Sequence, residues 1–430
     1  MVKYRQKSNL PRTQKGEKMI NPTFKIRASA LLLVALLALA GCGGPVHPGQ
    51  MPADTNLGKP VIDVYPDEDK YAQETRLSFV GVGDNIIHEA VFTDAANRAV
   101  VYASNTGEKS RYRFVDMYEG IADLIADADI SYVNHETPIA GDSFGIKGYP
   151  DFSAPSEAGD TLIDLGFDII NMANNHMLDM GESGLRETIK YWKEKSGDFV
   201  MIGGYTKSDY DQVKIIERQG VKIALLSYTT FVNDKHKNSL SSGSDLLVPY
   251  ADDATIRRQT SLAHESGADV LIVAMHWGVE NAFSPNAQQK RLAQLLADCG
   301  VDVVLGSHSH TLQPVEWIEG ASGSKTLVAY SLGNLINTMY YSYYMVGGAL
   351  TFDIVKEKGG EARIENPVLV PTMCHYSMTR DTLQMYLLQD YTEAQLRAHG
   401  SQLKGAFTMQ TLYGYVKDNI KPEFLPEFFK

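Results

Sequence analysis

The stretch Gly306-Ser307-His308-Ser309-His310 puts two imidazoles one residue apart behind an apolar run, residues 301–305. That run reads as a short buried strand, because β-branched residues crowd it and a glycine closes it. A strand so placed delivers both rings to its carboxyl end, the edge where open α/β sheets gather their ligands, and neutral imidazole is the commonest metal ligand. Taken alone, His-x-His is as readily a pair of solvated loop histidines. Four other polar clusters, however, follow apolar runs in the same way: Gly83-Asp84, Asn134-His135-Glu136, Asn174-Asn175-His176 and His276-Trp277-Gly278-Val279-Glu280. A carboxylate at such an end is either a turn former or a group held for a metal. At 174–176 two amides and an imidazole can close a turn or cap a helix. In a metal cleft the amide oxygen would be a ligand and the imidazole an acid or charge stabiliser.

The elements that must position these clusters alternate. Strands are expected at 77–83, 130–133, 167–172, 199–202, 213–216, 222–228, 270–275, 301–305 and 326–330, the last ending in Ser331-Leu332-Gly333-Asn334. Helical spacing of apolar residues marks 114–127 (Phe114, Met117, Ile121, Leu124, Ile125), and helices are also expected at 156–165, 182–195, 252–266 and 286–298. Residues 348–355 and 362–370 alternate as antiparallel strands do. Strand–helix alternation followed by strand upon strand implies an α/β core with a mixed or two-sheet arrangement. The polar loop 231–246, with His236 between two lysines, reads as a solvated flap. The tyrosines 340, 341, 343 and 344 line a groove or pack into the core.

Length and composition bound the rest. At 430 residues and 44% hydrophobic content the chain can bury a large core. Residues 1–41 carry eight Lys or Arg against one acid, then an apolar run from Ala28 to Ala40, and end in Leu39-Ala40-Gly41-Cys42. This resembles the lipobox of bacterial lipoproteins, which implies removal of 1–41, with Met1 or Met19 as the start, and acylation of Cys42 at the extracytoplasmic face of the cell membrane. The apolar run is shorter than the roughly 20 residues that a membrane-spanning helix needs. Residues 42–75, rich in Pro, Gly, Asp and Gln, read as a flexible tether. Without residues 1–41 the chain keeps 32 basic and 51 acidic residues, a formal charge of about −19. That surface argues against nucleic acid as a partner, and a polyanion would need a local metal or basic pocket. Cys299 and Cys374 alone remain, too few for a disulfide framework.

Gly83-Asp84, Asn134-x-Glu136, Asn174-Asn175-His176, His276-Trp277-Gly278-x-Glu280, Gly306-x-His308-x-His310 and Ser331-x-Gly333-Asn334 stand in the order of the bacterial CapA-type capsule synthesis family, which includes poly-γ-glutamate capsule proteins. The chain resembles that family over residues 76–370, and the family looks like a branch of the calcineurin-like metallophosphoesterases. The resemblance implies a four-layer α/β/β/α sandwich over 76–372, followed by a mainly helical extension, 373–430. It implies Asp84, Glu136, Asn175, His276, His308 and His310 as metal ligands, His176 as the catalytic acid, and Asn174, Glu280 and Asn334 as substrate-binding residues. Such mixed oxygen and imidazole donors suit one or two Mn, Fe or Zn ions. The wider phosphoesterase pattern has Asp-x-His where this chain has Asp84-Asn85-Ile86. It has an aspartate where this chain offers Asn134 and Glu136.

Two classes of function stay open. One is a lipid-anchored protein acting with other capsule proteins in the synthesis, export or release of an anionic polymer such as poly-γ-glutamate. The other is a metal-dependent phosphoesterase or other hydrolase on an extracytoplasmic substrate.

Overall fold

The computed structural model describes residues 74–195 and 197–430. The expected leader, Cys42 and residues 42–73 of the expected tether lie outside the described residues, whereas Glu74 and Thr75, expected in the tether, already belong to the first strand. Among the described residues no helix is long and apolar enough to cross a membrane.

Two sheets carry the fold. The first runs, edge to edge, Leu383–Leu387, Ala362–Tyr376, Val346–Glu357, Glu74–Asn85, Ile130–His135, Ile169–Asn171 and Val200–Ile202, with Asn334–Ile336 pairing beside the end of Glu74–Asn85. The second runs Val315–Glu319, Lys325–Ala329, Val303–Ser307, Val270–His276, Val221–Thr229 and Lys214–Arg218. In the second sheet the inner strands run parallel and an antiparallel pair closes each edge. The first sheet is divided: Glu74–Asn85, Ile130–His135, Ile169–Asn171 and Val200–Ile202 run parallel out to one edge, and the pairs from Glu74–Asn85 to Leu383–Leu387 at the other edge are antiparallel.

Side-chain alternation stacks the layers, since successive strand residues point to opposite faces. Ile223, Leu225, Val270, Ile272, Val303, Leu305 and Leu327 join the core shared with the first sheet. Their neighbours Ala224, Leu226, Leu271, Val273, Val304 and Val328 form a second core with Ile256 and Ala263 of helix Asp253–Glu265 and with Leu292, Leu295 and Leu296 of helix Ala287–Asp298. Both faces of the second sheet are therefore apolar, which is why its strands read as unbroken hydrophobic runs. Leu305 lies opposite Gly81 of the first sheet, where an added Cβ would meet its methyl carbons at 3.5 Å. Helices Glu119–Asp127, Ser156–Leu165 and Gly181–Glu194 contribute Ile121, Ile125, Leu162, Leu185 and Ile189 to the core of the first sheet. The architecture is the four-layer α/β/β/α sandwich expected from the sequence.

Three elements differ from expectation. A helix, Glu89–Thr106, follows the first strand where none was expected, ending at Gly107 in the left-handed conformation (φ 79°). The strand Ala362–Tyr376 runs past residue 372, and Leu383–Leu387 forms the outermost strand of the first sheet. The C-terminal segment is thus built into the sandwich: Cys374, Met373, Leu383 and Met385 are buried in the main core, and only beyond them do helices Glu393–Ala398 and Met409–Lys417 follow. Cys299 and Cys374 are both free thiols.

Candidate metal centre

Strand register lines up the polar clusters. In the first sheet Asp84 pairs with Asn134 and with Asn334, and Asn134 pairs with Asn171. In the second, His276 pairs with Ser307 and with Thr229. The strands differ in length but their register aligns their carboxyl ends, so each sheet presents a row of polar side chains at one edge, and the two rows face each other. Gly83 permits the closest of these approaches: a Cβ there would lie 1.9 Å from the Gly333 carbonyl oxygen, which instead accepts the Asp84 N–H at 2.9 Å.

A ladder of hydrogen bonds fixes Asp84. Asn134 Nδ2 donates to Asp84 Oδ1 at 2.8 Å, and Asn171 Nδ2 donates to Asn134 Oδ1 at 2.8 Å. The Ser227 hydroxyl of the second sheet donates in turn to Asn171 Oδ1, tying the two rows together. Asp84 Oδ2 takes the His308 N–H at 3.2 Å and faces His310 Nδ1 at 3.1 Å. Asn334 Oδ1 also stands 3.0 Å from His310 Nδ1. Two acceptors at one ring nitrogen hold a proton there, so Nε2 is the nitrogen that carries the lone pair when the ring is neutral. His308 and His310 sit at φ 96° and 59°, conformations that cost a non-glycine residue free energy and cluster at functional sites.

Glu136 stands between the rows, 1% exposed, and neither of its oxygens has a hydrogen-bond partner among the described residues. The Nδ1 of His308 is equally unpartnered. His310 Nε2 lies 3.8 Å and His276 Nε2 4.0 Å from Glu136 Oε1. Burial, followed by the neighbouring Asp84, pushes the Glu136 carboxyl well above its usual range. Burial and the positive charge of the other histidines hold His276 and His308 well below theirs. Burial works against the charged form of His310 too, but Glu136 and Asp84 outweigh it and raise the ring to about 9. A buried acceptor pair with no donor and a buried imidazole with no partner are costly in a folded protein. A divalent cation satisfies both. Glu136, His308 and His310 have ligand atoms within 4.8 Å of one another, as do Asp84, Glu136 and His276, so Glu136 is common to two donor groups. Asn175 Oδ1 approaches His276 Nε2 at 2.9 Å, beside the second group.

His176 stands at the rim, 8% exposed, with Nδ1 2.7 Å from Asp179 Oδ2. Asp179 was not singled out as a site residue from the sequence, although an acid three positions after a histidine is a usable signal. Asn233 was missed as well. It comes from the loop read as a solvated flap, accepts from Asn175 Nδ2 at 3.0 Å, and sets its own amide 3.1 Å from His176 Nδ1 and 3.3 Å from Asp179 Oδ1. His236, in the same loop, is half-buried against Asp151 at 2.8 Å.

The remaining expected residues fall into two kinds. Asn174 and Asn334 are buried, and their side chains are taken up internally: Asn174 Oδ1 accepts the His176 N–H at 2.9 Å, and Asn334 Nδ2 donates to the Tyr344 carbonyl at 3.1 Å. Glu280 is exposed at the rim, near enough for its charge to act on Glu136 and His310. His88, four residues after Asp84, accepts the Thr338 N–H at 3.3 Å and packs edge-on to Phe152.

The family model of the bacterial capsule synthesis protein PGA_cap matches residues 78–339, a span that contains every donor of the cleft. The chain is 28% identical over 247 residues to the PGA biosynthesis protein CapA of Bacillus subtilis (strain 168), covering 55% of this chain and 60% of that protein. It is 32% identical over 196 residues to the capsule biosynthesis protein CapA of Bacillus anthracis, covering 43% of each. The matched region thus spans about half the length of these relatives. Among solved structures, the chain is similar to the calcineurin-like phosphoesterase YfkN of Bacillus subtilis, with a TM-score of 0.37 at 17% identity over 68% of this chain and 91% of that one. By the extent of the family match, the chain belongs to the bacterial capsule synthesis protein family PGA_cap.

Proposed function

We propose that this chain is a lipid-anchored extracytoplasmic protein that works with other capsule proteins in the synthesis, export or release of an anionic polymer such as poly-γ-glutamate, through the cleft around Glu136. Family membership and the names of the two CapA relatives support the polymer class. Leu39-Ala40-Gly41-Cys42 supports the anchor. The observation that carries the cleft's role is Glu136, a carboxylate buried with both oxygens unpartnered beside three histidines.

Glu136, His308 and His310 would hold one divalent cation, and Asp84, Glu136 and His276, with the Asn175 amide oxygen beside them, a second. Mixed oxygen and imidazole donors favour Mn, Fe or Zn. A cation held so polarises a bound oxygen and makes water acidic enough to act as a nucleophile near neutral pH. The chain's own groups do the rest. Asp84 orients His310 through Nδ1, so that Nε2 faces the cleft. Asp179 fixes the tautomer of His176, leaving Nε2 to give or take a proton at the leaving or attacking oxygen or nitrogen. At about −19 the body repels a polyanion everywhere except where a cation or a protonated histidine offsets it.

Deleting the gene and measuring surface polymer tests this reading. Loss or altered chain length is expected; normal amount and length, in a strain with no second copy, overturns it. The second reading, a metal-dependent phosphoesterase or other hydrolase on an extracytoplasmic substrate, is favoured by the His176–Asp179 pair, which a binding-only cleft does not need. Turnover of small phosphoesters by the purified protein with normal capsule in the deletion strain selects it.

A further inference from the structure

Much of the surface positive charge of the described chain is neutralised locally. Arg76 pairs with Asp353 and Glu365, Arg111 with Asp142 and Glu157, Arg186 with Asp245, and Arg291 with Asp253. Arg380 and Lys404 differ. Among the described residues neither forms an ion pair, and both sit instead on one aromatic ring. The Arg380 guanidinium carbon is 4.3 Å and Lys404 Nζ 4.8 Å from the ring centroid of Tyr340, which is itself 50% exposed. Arg380 also lies 5.6 Å from the Tyr376 ring. The one acid adjacent in sequence, Asp381, has its Oδ1 occupied by the hydroxyls of Ser377 and Thr379 at 2.7 and 2.8 Å.

This cluster adjoins the cleft. Met339, next to Tyr340, accepts the Tyr376 hydroxyl on its carbonyl at 2.6 Å, and its sulfur is 3.7 Å from Asn334 Nδ2, the residue hydrogen-bonded to His310. Rings continue the path on the other side: Tyr341 stacks on Tyr343 at 5.5 Å, Tyr343 meets Tyr344 at 4.5 Å, and Tyr344 meets His310 at 6.5 Å.

Two cations held against a ring are preorganised. Contact with the aromatic face restricts the side chains without using their outward N–H donors, so a carboxylate meets them at a reduced entropic cost. In a chain with 52 acidic against 40 basic residues, two cations with no ion-pair partner among the described residues thus stand together near the cleft. We propose that Arg380 and Lys404, held on Tyr340, form a carboxylate-binding subsite that grips one unit of an anionic polymer whose neighbouring units lie in the Glu136 cleft. The subsite rests on the polymer reading above and adds to it a second point of attachment, which favours a chain over a single unit.

The test compares a short γ-linked glutamate oligomer with glutarate, which offers two carboxylates and no chain, by titration calorimetry on the full chain in the presence of Mn²⁺. In the double variant Arg380→Gln/Lys404→Gln, oligomer affinity should fall roughly 10-fold at low salt, with glutarate binding and the Mn²⁺-induced thermal shift unchanged. Tyr340→Ala, which removes the platform and no charge, should lose affinity in the same direction. Lys290→Gln/Lys325→Gln, on the second sheet and its helix, removes equal charge and should leave oligomer affinity within roughly 2-fold. Oligomer binding by the Arg380/Lys404 variant that matches the unaltered protein, or an equal loss in the Lys290/Lys325 control, overturns the subsite and leaves the polymer reading standing. Failure of the unaltered protein to bind the oligomer at all overturns both.

Discussion

Glu136→Gln separates the needs of the fold from the needs of a metal. In the metal-free protein the carboxylate feels two opposed neighbours. Asp84 has an oxygen within 4.8 Å and protonated His310 lies at 3.8 Å, so repulsion and attraction are each worth about 4 kcal/mol at an effective dielectric of about 20. These terms nearly cancel. What decides the outcome is desolvation, several kcal/mol for a charge that is 1% exposed with neither oxygen hydrogen-bonded. Glutamine has the same shape and no charge, so the metal-free variant should be more stable than the unaltered protein by about 1–2 kcal/mol. Unfolding entropy for roughly 360 residues converts 1 kcal/mol to about 1.3 °C, so its Tm should rise by about 2 °C. Metal reverses the order. Saturating Mn²⁺ or Zn²⁺ at about 1,000 times Kd adds about 4 kcal/mol, or about 5 °C, to the unaltered protein, and Glu136→Gln should forfeit most of that gain. Thermal melts with chelator and with metal read all four values. Equal metal shifts in the two proteins, or a metal-free variant melting several degrees lower, would refute the argument that Glu136 is kept for a cation.

Three further outcomes are expected. If the cleft is catalytic, His176→Ala should reduce turnover about 100-fold or more, whereas Asp179→Asn should cost less and move the acidic or basic limb of the pH–rate profile; unchanged turnover in both variants removes the acid–base role. Asp302 is buried near the Leu271 N–H, and desolvation raises its carboxyl to about 6 from an ordinary value near 4. A raised acid favours folding in its protonated form, so its contribution improves as pH falls through about 6 and is worst above it. Asp302→Asn should therefore raise Tm at pH 7.5 and give little gain at pH 4.5, and an equal effect at both pH values contradicts this. Cys42→Ala should abolish lipid attachment, measured by membrane fractionation and labelling with a fatty-acid analogue; unaltered attachment removes the anchor.

How far the sequence discloses this molecule depends on whether a signal is local. The second sheet was legible because both of its faces are apolar, which makes strands such as Val270–His276 stand out as unbroken runs. Helix Glu89–Thr106 was not, because its buried stripe is Val91, Asp94, Ala95 and Ala99, small or acidic, while Val100 and Val101 are exposed. Asp94 is buried there only because Arg98 and the Leu383 N–H pair with it, the latter from a strand nearly 300 residues away. That strand, Leu383–Leu387, has no identity until Ala362–Tyr376 is present to pair with it. Within the cleft, the donors at strand ends could be read because a strand end is a local feature. The contribution of Asn233 could not, since it arises when a loop folds back onto Asn175 and Asp179 from another sheet. Asn134 shows the remaining limit: its type suits a ligand or a support equally, and only its bond to Asp84 assigns it the second role.

The backbone at His308 and His310 has a consequence for how relatives of this chain should be compared. At φ 96° and 59° each histidine occupies a conformation that glycine adopts freely, so exchanging either for glycine would relieve on the order of 1 kcal/mol or more of strain. In a copy freed from its chemical task this backbone term favours glycine, set against the cavity and the lost Asp84 contact that removal of a buried ring leaves behind. Glycine at these two positions would mark a descendant that keeps only the scaffold. A histidine pair that persists against the conformational gradient marks one still selected for the cleft.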